Sequence, residues 1–225
     1  MNSGNLIRKE EARDFNHLFQ LLEKMDKVAT DMVDKFIGQL HKPNRGVLKK
    51  IIAADISLDE LEIMVNEDVI TIISRWQPVA SDLRLMIAAI KIATAFERIG
   101  DYIYSNSQKL MFALDNGLEA KSIDAKTLGD LGDRVMGLMA LVSSDIKHRT
   151  CDNAEKIMAE DSLVDEIYGK LYQKSLKARE DKSTAGLITT VMIAKYFERI
   201  GDQLSNIAEA LLYAIRGKTP TPERQ

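Results

Sequence analysis

One cysteine, three histidines and four prolines in 225 residues set the first limits. A lone Cys151 excludes an internal disulfide and fits a reducing compartment. Basic runs are missing and the net charge is −3, so nothing points to nucleic acid. The opening stretch MNSGNLIRKEEARDF lacks the apolar core of a secretory signal, and the expectation is a cytoplasmic protein. The most apolar stretches, LMIAAIKIATAF and LITTVMIAKYF, each carry a lysine and are too short to cross a bilayer.

The few prolines lie where helices stop or start. Pro43 sits in HKPNRG, Pro78 in RWQPVASD, and Pro220 and Pro222 close to the end. Between them the chain is rich in Ala, Leu, Ile, Met, Lys and Glu, without the alternation of strands. Phe15, Leu18, Leu22, Met25, Ala29, Met32 and Phe36 step by threes and fours, as a helix seam does. Leu85, Ala89, Ile92, Phe96, Ile99 and Ile103 repeat the pattern. The pattern predicts an all-α protein with helices over 8–41, 45–76, 79–115, 123–149, 152–180 and 184–216. Gly129, Gly132 and Gly137 interrupt the fourth of these, and Asn116-Gly117 and Gly217 end the third and sixth.

AFERIGDYI at 95–103 returns as YFERIGDQL at 196–204. The shared hexapeptide falls in the third helix of each half, which predicts two tandem three-helix bundles made by internal duplication. Residues 1–118 form the first, 119–217 the second, and 218–225 a tail. The halves are expected to be separable and joined near 116–122. A glycine inside a helix costs roughly 1 kcal/mol against alanine. Gly100 and Gly201 lie between the seam and the acids, where a side chain would hold the neighbouring helix away.

Acids recur with the hexapeptide. AADISLDE at 53–60 aligns with AEDSLVDE at 159–166. Asp55/Asp59, Glu97/Asp101, Asp161/Asp165 and Glu198/Asp202 therefore form four i, i+4 pairs, each on one helix face. Folding helices two and three about Gln77-Pro78, and five and six about Asp181-Lys182, sets the pairs of each half level. Four carboxylates are then expected to converge on the outside of each bundle. Like charges at this spacing cost roughly 0.2–0.5 kcal/mol per pair, so a cation is expected to offset them. Arg98 and Arg199 could do so locally, and spacing leaves this and a metal site as open alternatives. With no cysteine or histidine nearby, the ligands are hard oxygens. These favour Mg²⁺, Mn²⁺, Ca²⁺ or iron, divalent or ferric, over a thiolate-type zinc site, with Zn²⁺ on oxygen ligands also a candidate and room for more than one ion.

Two copies of an acid-x-x-x-Asp motif on a duplicated three-helix bundle resemble the PhoU family of phosphate-signalling regulators. QPVASDLR at 77–84 resembles that family's Gln-Pro-x-Ala-x-Asp-Leu-Arg segment, and the likeness runs from about residue 15 to 215. Trp76 departs from it, standing where a basic residue is expected. The resemblance implies multinuclear metal clusters held by Asp55, Asp59, Glu97, Asp101, Asp161, Asp165, Glu198 and Asp202. It also implies negative regulation of the phosphate-starvation response. The implied partners are the ATPase subunit of the phosphate ABC transporter and a sensor histidine kinase, which would make the protein peripheral to the membrane. No enzymatic activity is assigned, and monomer and homodimer both remain open.

Two rival classes stand beside this. A di-iron enzyme or iron store needs inward-facing Glu-x-x-His on two helices. The nearest matches, Asp14-x-x-His17 and Asp145-x-x-His148, lie on helices one and four, away from the acidic strips. Cys151 begins the fifth helix with Thr150 or Asp152 as its cap, and no catalytic array accompanies it. A metal-free helical scaffold, with Trp76, Tyr102, Tyr104 and Tyr196 as exposed anchors, is the other alternative.

Overall fold

A computed structural model describes residues 3–176 and 184–217, with side chains from residue 8 onward. Six long α-helices run as α1 (Ser3–Ile37), α2 (Arg45–Trp76), α3 (Ser81–Asp115), α4 (Ala125–His148), α5 (Ala154–Leu176) and α6 (Thr184–Arg216). A short 3-10 turn at Ala120–Ser122 joins the halves, and no strand occurs among the described residues. The all-α expectation of two three-helix repeats holds. The expected turn at Asp181-Lys182, the end of the fifth helix and the tail at 218–225 lie outside the described residues.

Local chemistry explains the boundaries. The Asn44 side chain accepts the backbone N–H groups of Gly46 at 2.8 Å and Val47 at 3.2 Å, capping α2. At the other end Gln77 turns left-handed at φ 50°, because the following Pro78 bars it from the helical region. α1 stops at Ile37, four residues before the expected end, as the chain tightens through Gln39 and Leu40. α4 starts at Ala125 because the Asp124 carboxylate accepts the Thr127 N–H at 3.2 Å. Neither Thr150 nor Asp152 receives the start of α5. Instead the buried Asp145 carboxylate, from the end of α4, accepts the Asn153 backbone N–H at 3.1 Å and the Thr150 hydroxyl at 3.1 Å. Cys151 is buried there as a free thiol.

The two repeats share one core. The largest interface between helices joins α3 to α6, one from each half. They run antiparallel, since Arg84 meets Gly217, Lys91 reaches Tyr213, Arg199 covers Tyr102, and the Asn106 amide donates to the Ile193 carbonyl. Gly100 and Gly201 therefore lie level at the middle of the molecule. α1 also crosses to the second half. Phe36 stacks at 6.1 Å on Phe197, and the Ser143 hydroxyl donates to Asp26 at 2.8 Å.

The glycines of α4 differ in purpose. A methyl on Gly132 would press to within 2.7 Å of Ile37, so this glycine lets α4 close on α1. Gly137 faces open space. Gly137→Ala should raise stability by about 1 kcal/mol, while Gly132→Ala gives no such gain. Urea unfolding of the two variants checks this, and equal shifts would show that α4 does not approach α1 so closely.

Candidate metal centre

The acids of each half gather along one helix pair, α2/α3 in the first and α5/α6 in the second. In the first, Asp55 feels Asp101 and Asp59, and Glu97 feels Asp101, Asp59 and Asp55. In the second, carboxylate oxygens of Asp161, Asp165 and Asp202 lie within 4.8 Å of one another. Asp59, Asp101, Asp165 and Asp202 are exposed, as expected of an outer face. Asp55, Glu97, Asp161 and Glu198 are half-buried in the cleft between helices, which the outer-face expectation missed.

The repeated glycine explains that depth. A side chain on Gly100 would run into Leu58 and the Asp55 carboxylate, and one on Gly201 into the Asp161 carboxylate. The first acid of each α2 or α5 pair thus lies directly on the hexapeptide's glycine. Asp161 Oδ1 is buried in this position without a hydrogen-bond donor, while its Oδ2 accepts the Ser205 hydroxyl at 3.0 Å. A buried carboxylate oxygen with no partner is costly, and a hard cation would satisfy it. The all-oxygen donor set fits such an ion.

Of the two arginines that spacing left open as counter-charges, neither forms an ion pair with these acids among the described residues, and Arg199 acts on Asp202 only through space. Arg98 is exposed and makes no ion pair among the described residues, and Arg199 stacks on Tyr102. The cation in direct contact with these acids is one that the spacing did not single out. Lys195 Nζ donates to both Glu198 oxygens at 2.5 and 2.6 Å and lies 5.0 Å from the centre of the Tyr168 ring. Glu62 was also missed, though it lies one turn beyond Asp59. It acts on Glu97 and accepts the Thr94 hydroxyl at 2.7 Å.

The remaining candidates fall elsewhere. His17 pairs with Asp68 at 2.6 Å, and Asp14 accepts the Trp76 indole N–H at 2.9 Å, both away from the acidic faces. Trp76 is half-buried under Arg75, and Tyr102 stacks on Tyr196 at 5.6 Å, so neither projects as a free anchor.

The sequence that builds this geometry matches a known family. The model of the PhoU domain matches residues 22–110 and again 128–211. The chain belongs to the PhoU family. Its two family matches coincide with the two repeats and span all eight acids. This PhoU-family chain is 30% identical over 213 residues to the phosphate-specific transport system accessory protein PhoU homolog of Rhizobium meliloti. That match covers 94% of this chain and 89% of the other. It is 28% identical over 224 residues to the accessory protein PhoU of Escherichia coli, covering 97% and 91%. The fold is that of PhoU from Pseudomonas aeruginosa, with TM-score 0.81 at 22% identity, covering 92% of this chain and 99% of that one. It is also that of the regulatory PhoU of Streptococcus pneumoniae, with TM-score 0.84 at 18% identity, covering 94% and 100%. No helix among the described residues is long and apolar enough to cross a membrane.

Burial first, and then neighbouring carboxylates, push Asp55 and Glu97 up to about 6 and about 7. Burial likewise raises Asp161 to about 6, against the Ser205 hydrogen bond and with Asp202 assisting. Unfolded carboxyls release their protons near pH 4. Between about pH 4 and 7 the folded chain holds protons that the unfolded chain has lost, so stability falls as pH rises. The thermal midpoint of chelator-treated protein should decline across this window. Asp101→Asn with Asp202→Asn should flatten the decline, and an unchanged slope would remove these clusters as its origin.

Proposed function

We propose that this chain is a metal-binding, non-enzymatic regulator of phosphate uptake. The convergence of Asp161, Asp165 and Asp202, with Asp161 Oδ1 buried and unpartnered, carries the metal part of the proposal. Asp161, Asp165, Glu198 and Asp202 would make up the cation-binding face of one half, and Asp55, Asp59, Glu97 and Asp101 that of the other. A bound cation supplies positive charge to a surface that otherwise repels acidic partners.

The regulatory part rests on kinship with proteins named as accessory to phosphate-specific transport. The surface supports a holding role. On α3 the stripe that ends in Glu97 and Asp101 begins with exposed Leu83, Ile87 and Ile90. On α6 exposed Ile188 and Met192 precede Lys195 and Glu198. Ile188 and Met192 also line an apolar groove of about 1210 Å³ with exposed Phe112. Apolar anchors beside a charged cluster suit protein docking. The partners proposed are the ATPase subunit of the phosphate ABC transporter and a sensor histidine kinase, bridged in the cytoplasm so that the starvation response stays off.

Deleting the gene should switch phosphate-starvation genes on in plentiful phosphate. The purified chain should retain the transporter ATPase or the cytoplasmic part of the kinase, and should lose metal when Asp101 and Asp202 become Asn. An iron store predicts many metal atoms per chain and altered iron tolerance with phosphate genes untouched. Normal phosphate regulation in the deletion strain, with neither partner retained, overturns the regulatory role.

A further inference from the structure

The repeats align residue by residue around the acids, and several positions that face them differ: Ser205, which donates to Asp161, corresponds to Tyr104, and two further differences change the charge. Glu62 of the first half corresponds to Tyr168 of the second, and Thr94 corresponds to Lys195. The first face therefore carries five carboxylates: Asp55, Asp59, Glu62, Glu97 and Asp101. No cation is among the charges acting on Asp55, Glu97 or Asp101. Glu62 adds its charge to Glu97 and is held toward α3 by the Thr94 hydroxyl.

The second face has four carboxylates and one ammonium, and the Arg199 guanidinium acts on Asp202 from outside it. Lys195 grips both oxygens of Glu198, and the same ammonium acts on Asp165 and Asp202. Tyr168 gives Lys195 an aromatic ring to rest against, where a fifth acid would otherwise stand. With Glu198 engaged, Asp161, Asp165 and Asp202 are left, and theirs are the oxygens that converge within 4.8 Å. Three carboxylates at that separation suit one hard ion completed by water. Five carboxylates without a counter-charge, and not drawn to one point, suit more than one.

Resting on the metal-binding proposal above, we infer that the two faces are unequal. The α5/α6 face takes a single ion because Lys195 serves as a tethered cation that removes Glu198 from the ligand set. The α2/α3 face takes two or more ions, with Glu62 as a further ligand. Lys195 and Glu62 thus set how many ions each half holds.

Mn²⁺ alone is a suitable probe, since bound ions are counted by loss of the free-ion electron paramagnetic signal and by elemental analysis. Glu97→Gln with Asp101→Asn isolates the second face, which should hold one Mn²⁺ per chain. Asp161→Asn with Asp202→Asn isolates the first, which should hold at least two. Adding Lys195→Thr to the first background should raise its count above one. The converse exchange, Thr94→Lys with Glu62→Tyr in the second background, should lower its count to one, so that the inference does not hang on one variant folding. Circular dichroism reports the fold of each. Equal counts at the two faces, or counts indifferent to Lys195 and Glu62, overturn the inference and leave metal binding standing. Wild-type chain that takes up no Mn²⁺ at either face overturns both.

Discussion

The contact on which the rest of this molecule depends is the closure of one helix onto the glycine of another. At Gly100 and again at Gly201 the neighbouring helix sits so near that a single methyl group would strike a carboxylate. That closeness puts Asp55 and Asp161 into the cleft rather than out in water. Desolvation follows, then mutual repulsion with the acids of the facing helix, and then the raised proton affinity of the group. The hexapeptide Phe-Glu-Arg-Ile-Gly-Asp holds the whole device. Phe and Ile anchor the core, Gly admits the partner helix, and Glu and Asp supply charge beside it.

Such an arrangement opposes folding. Half-buried carboxylates of like sign contribute nothing favourable without a cation, and a side chain at the glycine would relieve the crowding by pushing the helices apart. The shared core offsets this cost. Phe36, Phe96 and Phe197 are fully buried, and α1, α3 and α6 close over them from both repeats. A destabilised surface carried on an over-determined interior is the usual signature of a site kept for binding rather than for stability.

Much of this was legible in the sequence because period and duplication are strong signals. The seam through Phe15 to Phe36 fixed α1, and a hexapeptide occurring twice fixed the repeat. The ends of α2 and α6 could be read from Pro78 and Gly217. Boundaries failed where a distant residue decides them. Asp145 reaches across a turn to receive Asn153, and no local pattern announces that. The site was legible as a set of eight acids but not as a charge balance. Lys195 is one lysine among many along the chain, and only the fold sets it against Glu198 while Arg199, one residue on, turns to Tyr102. The depth of Asp55 and Asp161 was hidden for the same reason, since it depends on a gap in another helix.

The antiparallel seating of α3 on α6 is the geometry of an isologous contact, in which one patch meets its own copy about a two-fold axis. Here the two sides of that contact belong to one polypeptide. A homodimer built this way would carry any substitution on both sides at once, and its two outer surfaces would stay identical. Fusion lifts that restriction. A lysine can stand on one side and a threonine on the other, so the chain keeps the rigidity of a symmetric pair while presenting two surfaces that need not recognise the same thing.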